Sequence, residues 1–475
     1  MQRDAAPLLQ SRDFMANEEP SDSPGLVRRL GVWDAVLVTI GSVLGTGIFL
    51  TTADVARALP HAGLVLLAWM AGGLLTLAGA LTYAELGVMF PRAGGQYHYL
   101  KEAYGPLWGF LFGWTCFLVI MSGGIAALAV GFGEYLGFFL PFFSTKHELF
   151  RVPLGPVTWS VNGGQLAGSL AIAFLTAVNC LGLREGARVQ NIVTVVKIGS
   201  IVGLALFGLL GPAPARPDYT APLPGGGLLT AFGVAMIAVL WSYDGWYGFT
   251  PLAGEAKDPQ RTIPRGLIGG TAVIMLLYVV MNLVYVRVLP VDRMAETGRI
   301  GEAAAAVLFG PWGARIISAA VVVSTFGCLS STILYAARIY LPMAQDGLFF
   351  RSLATVHPRS LVPAACLLAQ GGWAMAQTFS GTYEQLYTYV TFALFVFHAA
   401  TGAAVMVLRR TRPDAPRPYR TWGYPWVPLV FIGWSLLFVG NTLVSRPLES
   451  GIGLLLITLG VPAYLGWRRR SRVTA

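Results

Sequence analysis

The most regular feature of the chain is a series of long apolar runs separated by short polar stretches. A transmembrane helix needs about 20 largely apolar residues, and about 12 runs between Trp33 and Trp467 have that length. The predicted spans cover residues 33–57, 62–89, 105–139, 165–183, 187–211, 229–253, 266–289, 303–343, 361–379, 383–408, 425–444 and 449–467. The third and eighth spans are longer than a bilayer requires, which predicts that they tilt or extend beyond the membrane. The pattern predicts an all-α integral membrane protein.

Two of these spans contain residues that a continuous helix disfavours. The first has Gly41, Gly45 and Gly47, and the sixth has Asp244 followed by Gly245 at mid-span. Glycine weakens a helix by about 1 kcal/mol relative to alanine, and an aspartate at the centre of a membrane helix costs about 2.5–3.5 kcal/mol. Close helix packing explains glycines in a single span. Interruptions at two matching positions instead predict that helices 1 and 6 are broken.

The spacing of the two breaks predicts how the chain is organised. Five spans separate them, as expected if spans one to five and six to ten form an inverted repeat in which each half opens on a broken helix. We expect residues 1–30 to form a disordered cytoplasmic tail, since they are polar and lack the apolar core of a signal peptide. Residues 31–211 and 212–408 are then the two halves, and residues 409–475 supply two further helices and a basic cytoplasmic end.

Composition and charge exclude several function classes. Of the 475 residues, 55% are hydrophobic and 12% are charged, which leaves no room for a soluble catalytic domain. The net charge of +10 does not indicate a nucleic-acid partner, because the basic residues lie in short loops between apolar runs. Most of them fall in loops on one side, which predicts that both termini are cytoplasmic. The expected surroundings are a lipid bilayer, specifically the cell (inner) membrane.

Broken helices at mid-membrane provide a particular kind of binding chemistry. Their unpaired backbone groups are tolerated only where they line a cavity. Free amides at a half-helix N-terminus attract an anion, and free carbonyls attract a cation. An α-amino acid zwitterion carries both charges close together. Two broken helices side by side therefore predict a receptor for an amino acid that uses the backbone and leaves the side-chain pocket to set specificity.

Lys197 is the basic residue deepest within a predicted span. It follows Arg188 by about 13 Å of helix, at 1.5 Å per residue, which is too far for its ammonium to reach the membrane surface easily. A lone intramembrane ammonium indicates a structural or coupling role. Asp244 is open to two interpretations, a proton site or a cap for its half-helix. Glu85 is expected to pair with Arg92 or another loop cation.

Other candidate chemistry is weaker. The histidines are scattered, and the four cysteines lie in apolar segments without metal-ligand spacing. His398 is expected to be a packing residue, and the hydroxyls of Ser330, Ser331 and Thr332 are possible ligands for a cation, although such groups often bond their own helix. We therefore expect no enzyme, no cofactor and no metal. A membrane-embedded enzyme and an amino acid sensor remain alternatives from other classes.

Three stretches carry a resemblance to a known family. They are Gly41–Phe49, Tyr83–Leu86 with Pro91–Tyr97, and Gly254–Pro259 running on to Ile263 and Pro264. In this order and spacing, over about residues 30–445, the chain resembles the amino acid–polyamine–organocation superfamily, and within it the L-type amino acid transporters and their bacterial relatives. The resemblance implies the leucine-transporter-type fold, with ten core helices in an inverted repeat and two further helices.

The resemblance also implies a site. It places the substrate carboxylate on first-span amides around Gly45, Thr46 and Gly47. It places the amino group on backbone carbonyls at Val43, Trp241 and Asp244. The predicted substrate-binding residues are Val43, Gly45, Thr46, Gly47, Trp241, Ser242 and Asp244, with Trp241 also acting as the gate. Lys197 matches the lysine that stands where sodium binds in sodium-coupled relatives, so sodium-independent transport is expected.

Two departures limit the resemblance. Asp244 replaces the small or apolar residue expected in animal L-type members, so substrate range cannot be copied from them. Animal members join a glycoprotein chain through a cysteine in the loop between spans three and four, but residues 142–164 contain no cysteine, and no disulfide-linked heavy chain is expected.

The favoured hypothesis is transport of small or medium neutral amino acids by exchange or proton-linked alternating access. The alternative cargo is a cationic amino acid or polyamine.

Overall fold

The computed structural model describes residues 28–154, 157–211, 214–217, 219, 223 and 227–473. Residues 1–27 of the predicted tail lie outside the described residues. The helices are α1 (Val32–Val43), α2 (Gly47–Leu50), α3 (Thr52–Ala58), α4 (Ala62–Met89), α5 (Gln96–Tyr104), α6 (Pro106–Thr115), α7 (Met121–Leu136), α8 (Gly163–Leu181), α9 (Leu183–Leu210), α10 (Leu228–Tyr243), α11 (Pro259–Val288), α12 (Val291–Glu296), α13 (Ile300–Gln345), α14 (Ala364–Thr378), α15 (Tyr383–Thr411), α16 (Trp426–Ser445) and α17 (Pro447–Val473). The strands are β1 (Glu148–Leu154) and β2 (Val157–Asn162).

The helices follow the apolar runs closely. Within the described part of the chain, nine helical stretches are long and apolar enough to cross a membrane, and two shorter apolar helices accompany them. The predicted all-α membrane fold is thereby confirmed. The predicted eighth span is α13, a single element of 46 residues that is kinked where Gly310 adopts φ 67° before Pro311. Glycine tolerates this backbone angle because it has no Cβ atom.

Both predicted interruptions are present. The first span stops at Val43, and residues 44–46 are not helical before α2 begins at Gly47. The sixth span stops at Tyr243, and residues 244–249 form turns that lead into a short 3₁₀ helix at Thr250–Glu255. Gly245 has φ 99°, a conformation that favours glycine.

The halves of the two broken spans pair with each other. On one side, Thr51 Oγ1 lies 2.6 Å from Ser242 Oγ, which joins the first span just beyond its break to the last turn of α10. On the other, Leu30 forms a parallel bridge with Ala256, and the Leu30 amide donates to the Glu255 carbonyl at 2.9 Å. Each break is therefore held at both ends by its counterpart, and the two unwound segments face each other.

Two features of the third span and its following loop were not predicted. The span contains a π-helical turn at Cys116–Ile120 between α6 and α7, where the Ser122 hydroxyl donates to the Phe117 carbonyl. The loop after α7 folds into the antiparallel hairpin β1–β2, whose register pairs Val152 with Trp159. The face of the molecule that carries this hairpin is called the hairpin side below. The opposite face, where Leu30 pairs with Ala256, is called the Glu255 side.

Candidate functional site

A small cavity lies between the two helix breaks. Its walls come from the first, third, sixth and eighth spans. They comprise Ser42, Val43, Gly45, Gly47, Ile120, Met121, Gly124, Leu128, Trp241, Ser242, Asp244, Gly245, Cys328, Thr332 and Tyr335. Six of the seven predicted substrate-binding residues line it, and Thr46 does not. The π-helical turn of the third span ends where Ile120 and Met121 enter the wall, in keeping with the frequent occurrence of such turns at functional sites.

The first-span break is stabilised by bonds within itself. The Gly45 amide donates to the Val43 carbonyl at 2.7 Å, and the Tyr278 hydroxyl donates to the same carbonyl at 3.1 Å. A carbonyl oxygen has two lone pairs, so that of Val43 is fully engaged in this conformation. Thr46 and Gly47 begin the next helix, where the first amides have no intrahelical acceptor. Of the three predicted amides, that of Gly45 is thus already bonded, while those of Thr46 and Gly47 lie at the helix start.

The sixth-span break contributes a carboxyl group. The Asp244 amide donates to the Trp241 carbonyl at 3.0 Å, which closes the end of α10. The Asp244 carboxyl lies beside the Gly245 amide and the Tyr247 hydroxyl, and its Oδ1 is buried without a hydrogen bond of standard geometry among the described residues. The Ser242 hydroxyl donates to the Ala238 carbonyl at 2.9 Å as well as meeting Thr51, so it is already used within the fold. Asp244 is accordingly a polar group in the cavity wall whose two oxygens have acceptor capacity left for a further donor.

Trp241 is held over the cavity by two tyrosines that the sequence interpretation did not select. Its Nε1 donates to the Tyr383 hydroxyl at 2.9 Å, and its ring stacks on Tyr387 with centroids 5.9 Å apart. The same Tyr383 hydroxyl lies 2.9 Å from Thr46 Oγ1. One residue at the start of α15 therefore joins both broken spans on the hairpin side. Spacing of four residues puts the two tyrosines on one helix face, a signal available from the sequence.

A buried ion pair lies on the Glu255 side of the cavity. Arg338 Nε donates to Glu255 Oε1 at 2.7 Å, and the two side chains are 0% and 1% exposed. The Glu255 backbone carbonyl accepts the amides of Arg29 and Leu30. The pair connects the eighth span to the segment after the sixth-span break and to the chain entering the first span.

Lys197 lies behind the first-span break rather than in the cavity. Its ammonium donates to the carbonyls of Gly41 and Leu44, at 3.1 and 3.0 Å, and the residue is 1% exposed. Ser324 Oγ also donates to the Leu44 carbonyl, at 3.1 Å. The neighbouring Ser42 carbonyl accepts from Cys328 Sγ at 3.0 Å.

The other intramembrane candidates have structural partners. Glu85 pairs with Arg409, whose Nε and Nη2 donate at 2.9 and 2.7 Å, and with Arg417 rather than with Arg92. His398 Nδ1 lies 2.6 Å from the Tyr83 hydroxyl, as expected of a packing residue. The hydroxyls at the eighth span are partly used within it, since Thr332 donates to the Cys328 carbonyl at 2.9 Å. In the described part of the chain, no group of three or more His, Cys, Asp or Glu residues is arranged to hold a metal ion.

Comparison with known families decides which family the chain belongs to. The sequence model of the family described as "Amino acid permease" matches residues 30–461. The chain belongs to this amino acid permease family, within the amino acid–polyamine–organocation superfamily. The permease is accordingly a multi-pass membrane protein, and its family supports amino acid transport.

Three named proteins are similar to this permease over most of their length. The serine/threonine exchanger SteT of Bacillus subtilis is 30% identical over 95% of this chain and 99% of its own length. The large neutral amino acids transporter small subunit 2 of Oryctolagus cuniculus is 28% identical over 98% of this chain and 85% of its own. The b(0,+)-type amino acid transporter 1 of Mus musculus is 28% identical over 94% and 90%. All three are transporters, which agrees with a non-enzymatic role.

Proposed function

We propose that the permease carries small or medium neutral amino acids across the membrane by sodium-independent exchange. The observation that carries this proposal is a cavity that residues of both helix breaks line. Two unwound segments offer amides and carbonyls at close range, as a zwitterion requires. Exchange is favoured over proton-linked uptake because SteT, similar along almost its whole length, is named an exchanger.

The proposed binding mode assigns each end of the substrate to one break. The carboxylate binds the amides of Thr46 and Gly47, and that of Gly45 once its turn onto Val43 opens. The amino group binds the carbonyls of the sixth-span break at Trp241 and Asp244, with Val43 joining when its present donors move away. In this conformation the Gly45 amide and the Val43 carbonyl bond to each other in place of the substrate.

Lys197 is proposed to replace a coupling cation. Two of the three donors of its ammonium contact the carbonyls of Gly41 and Leu44. A fixed positive charge at these carbonyls removes the ligands and the electrostatic attraction that a sodium ion would need. Because the Lys197 ammonium is part of the protein, movement of the first span requires no ion from solution.

The side-chain part of the cavity favours a small substrate with a polar end. Ile120, Met121 and Leu128 supply apolar wall, while the Asp244 carboxyl offers a further hydrogen-bond acceptor. A serine or threonine hydroxyl could donate to that carboxylate. A cationic side chain is the second candidate, because the same oxygen would pair with an ammonium.

In the proposed alternating access, one layer of side chains closes the cavity on each side. We propose that the Trp241–Tyr383–Thr46 layer opens towards the outside, and that the Glu255–Arg338 pair opens towards the cytoplasm. The two halves at residues 31–211 and 212–408 act as an inverted repeat, both termini are cytoplasmic, and the permease functions in the cell membrane without a disulfide-linked heavy chain.

The test is counterflow in proteoliposomes that contain purified permease. Vesicles preloaded with unlabelled serine should take up labelled serine far faster than empty vesicles, and external threonine or alanine should compete while arginine and putrescine do not. A pH gradient should not replace internal substrate. Competition by arginine that is lost in Asp244→Asn would establish the second candidate instead. Binding of amino acid without counterflow would identify a sensor and contradict the proposal.

A further inference from the structure

The hairpin is bonded to the turn that precedes the tyrosine of the gate. Trp159 Nε1 donates to the Phe379 carbonyl at 2.6 Å, immediately after α14 ends. The Trp159 side chain is partly exposed, and Phe150 packs against its ring edge-on with centroids 5.4 Å apart. The hairpin thus holds the indole in place on a backbone carbonyl of another part of the chain.

Further bonds join the same two regions. Ser169 Oγ lies 2.6 Å from Thr378 Oγ1, and Gln165 Nε2 donates to the Gly381 carbonyl at 3.4 Å. Gln165 is itself fixed by reciprocal bonds with Asn162, the last residue of β2. The hairpin and the first two turns of α8 therefore form hydrogen bonds with residues 378–381 at three points.

Movement of this turn is transmitted to the gate within four residues. Thr382 caps α15 through reciprocal bonds with Gln385, which fixes the first helical turn. Tyr383 is the first residue of that helix, and its hydroxyl meets Trp241 and Thr46. A cap of this kind leaves little freedom between the Phe379 carbonyl and the Tyr383 ring.

From this chain of contacts we infer that Trp159 is a positioning residue of the hairpin-side gate. It keeps Tyr383 against Trp241 by holding the turn at residues 379–382 to the hairpin. Opening the gate on this side moves Tyr383 away from Trp241 or Thr46, which requires the Trp159 bond to break or the hairpin to follow. The bond therefore favours the closed gate. The inference rests on the proposed function only in treating the movement of Tyr383 as the opening step of transport.

The experiment measures how readily the cavity is reached from the hairpin side, without any amino acid. Cys328 lines the cavity and is buried. Oriented vesicles are treated with a membrane-impermeant maleimide on the hairpin side, and labelling of Cys328 is quantified by peptide mass spectrometry. Trp159→Phe removes the N–H donor and keeps a ring. Its labelling rate should rise about fivefold, as expected for loss of one hydrogen bond of typical net strength.

Three further variants make the result specific. Trp159→His, which keeps a ring N–H donor, should restore part of the protection. Trp422→Phe removes an indole that is 75% exposed and remote from this turn, and it should leave labelling unchanged. In Tyr383→Phe, where the gate hydroxyl is missing, adding Trp159→Phe should cause little further increase, because both changes act through the same contact.

The inference is overturned if Trp159→Phe labels at the wild-type rate, or if Trp159→His behaves like Trp159→Phe. If Trp159→Phe does not accumulate in the membrane, Ser169→Ala provides the same test, with a smaller increase expected and an unchanged rate again contradicting the inference. Protection of wild-type Cys328 by added serine tests the proposed function separately. If serine does not protect Cys328 but the labelling rate still rises in Trp159→Phe, the proposed substrate site is contradicted. The inferred role of Trp159 is then still supported.

Discussion

Gly47 and Ser242 approach so closely that no side chain fits between them. A Cβ atom at Gly47 would lie 2.7 Å from the Cα, Cβ and Oγ atoms of Ser242. The contact joins the restart of the first span to the end of α10. The proposed substrate amides and the proposed gate tryptophan are therefore held together as one unit, and the spacing between the two breaks depends on this glycine.

Gly47→Ala should reduce counterflow at least tenfold while the protein still inserts into the membrane. One added methyl group must push the two broken spans apart, and overpacking of this kind costs about 1–3 kcal/mol. Gly199→Ala in α9 is the matched control, because a Cβ atom there meets nothing within 4 Å. Equal transport by the two variants would show that the contact has no functional part.

Loss of the Lys197 ammonium should leave a folded protein that transports poorly. In Lys197→Ala the carbonyls of Gly41 and Leu44 lose a donor inside the membrane, and the first span is no longer held to α9. Counterflow should fall strongly, and apparent affinities measured from the two sides of the membrane should diverge. Lys197→Arg should recover only part of the activity, because a planar guanidinium does not reproduce a compact ammonium.

The exposed Lys146→Ala change in the loop before β1 is the control for Lys197 and should behave as wild type. Normal transport from both sides in Lys197→Ala would reduce this residue to a packing role.

Trp241→Ala should weaken substrate affinity more than it lowers protein abundance. The variant loses the ring over the cavity and its bond to Tyr383, while the apolar helix persists. Apparent affinity for serine should fall, and bulky competitors should be accepted better. Tyr383→Phe should show a smaller loss of affinity, and the double variant should be little worse than Trp241→Ala alone. Wild-type kinetics and selectivity in Trp241→Ala would exclude the gate.

Glu255→Gln should destabilise the protein because it leaves Arg338 charged and buried without its partner. Breaking a buried pair in this way costs about 3–5 kcal/mol. The melting temperature in detergent should drop clearly. Glu296→Gln is the control, since Glu296 and Arg293 are 69% and 75% exposed and an exposed pair contributes little. An unchanged melting temperature for Glu255→Gln would contradict the assigned role of the pair.

His98 on α5, a helix between the second and third spans, should make stability depend on pH. Burial lowers the pKa of His98 from 6.5 to about 4, and the nearby charges of Lys101 and Arg92 lower it further while Asp346 opposes them. Unfolded protein therefore takes up a proton on His98 below about pH 6.5, where folded protein does not. Its contribution to stability is complete above that pH and is lost as pH falls towards 4. Melting temperatures of His98→Gln should fall less over this interval than those of wild type, and parallel curves would exclude the effect.

The sequence predicted those parts of the molecule that depend on local composition. Apolar run lengths gave the helices, and the clustered glycines with Asp244 gave both breaks, because a helix that contains them is unstable in a bilayer wherever it occurs. The same glycine pattern located the cavity wall. These features need no knowledge of which helices are neighbours.

Features that depend on contacts between distant segments could not be predicted in this way. Tyr383 is a gate candidate only because the fold brings it to Trp241, and Arg338 has a buried partner only because α13 passes Glu255. The hairpin forms by pairing Val152 with Trp159 across its two strands, and an interpretation based on membrane spans treated that segment as a loop. The predicted roles of the substrate-binding residues and of Lys197 stay predictions.

Sodium dependence of counterflow is the most direct test of the central claim, that an amino acid binds between the two breaks while Lys197 occupies the place of a coupling cation. Uptake of labelled serine into serine-loaded proteoliposomes is measured in sodium chloride and in choline chloride at equal ionic strength. The account predicts equal initial rates in the two salts and strong acceleration by internal serine in both. Uptake that requires sodium, or that ignores internal serine, would contradict it.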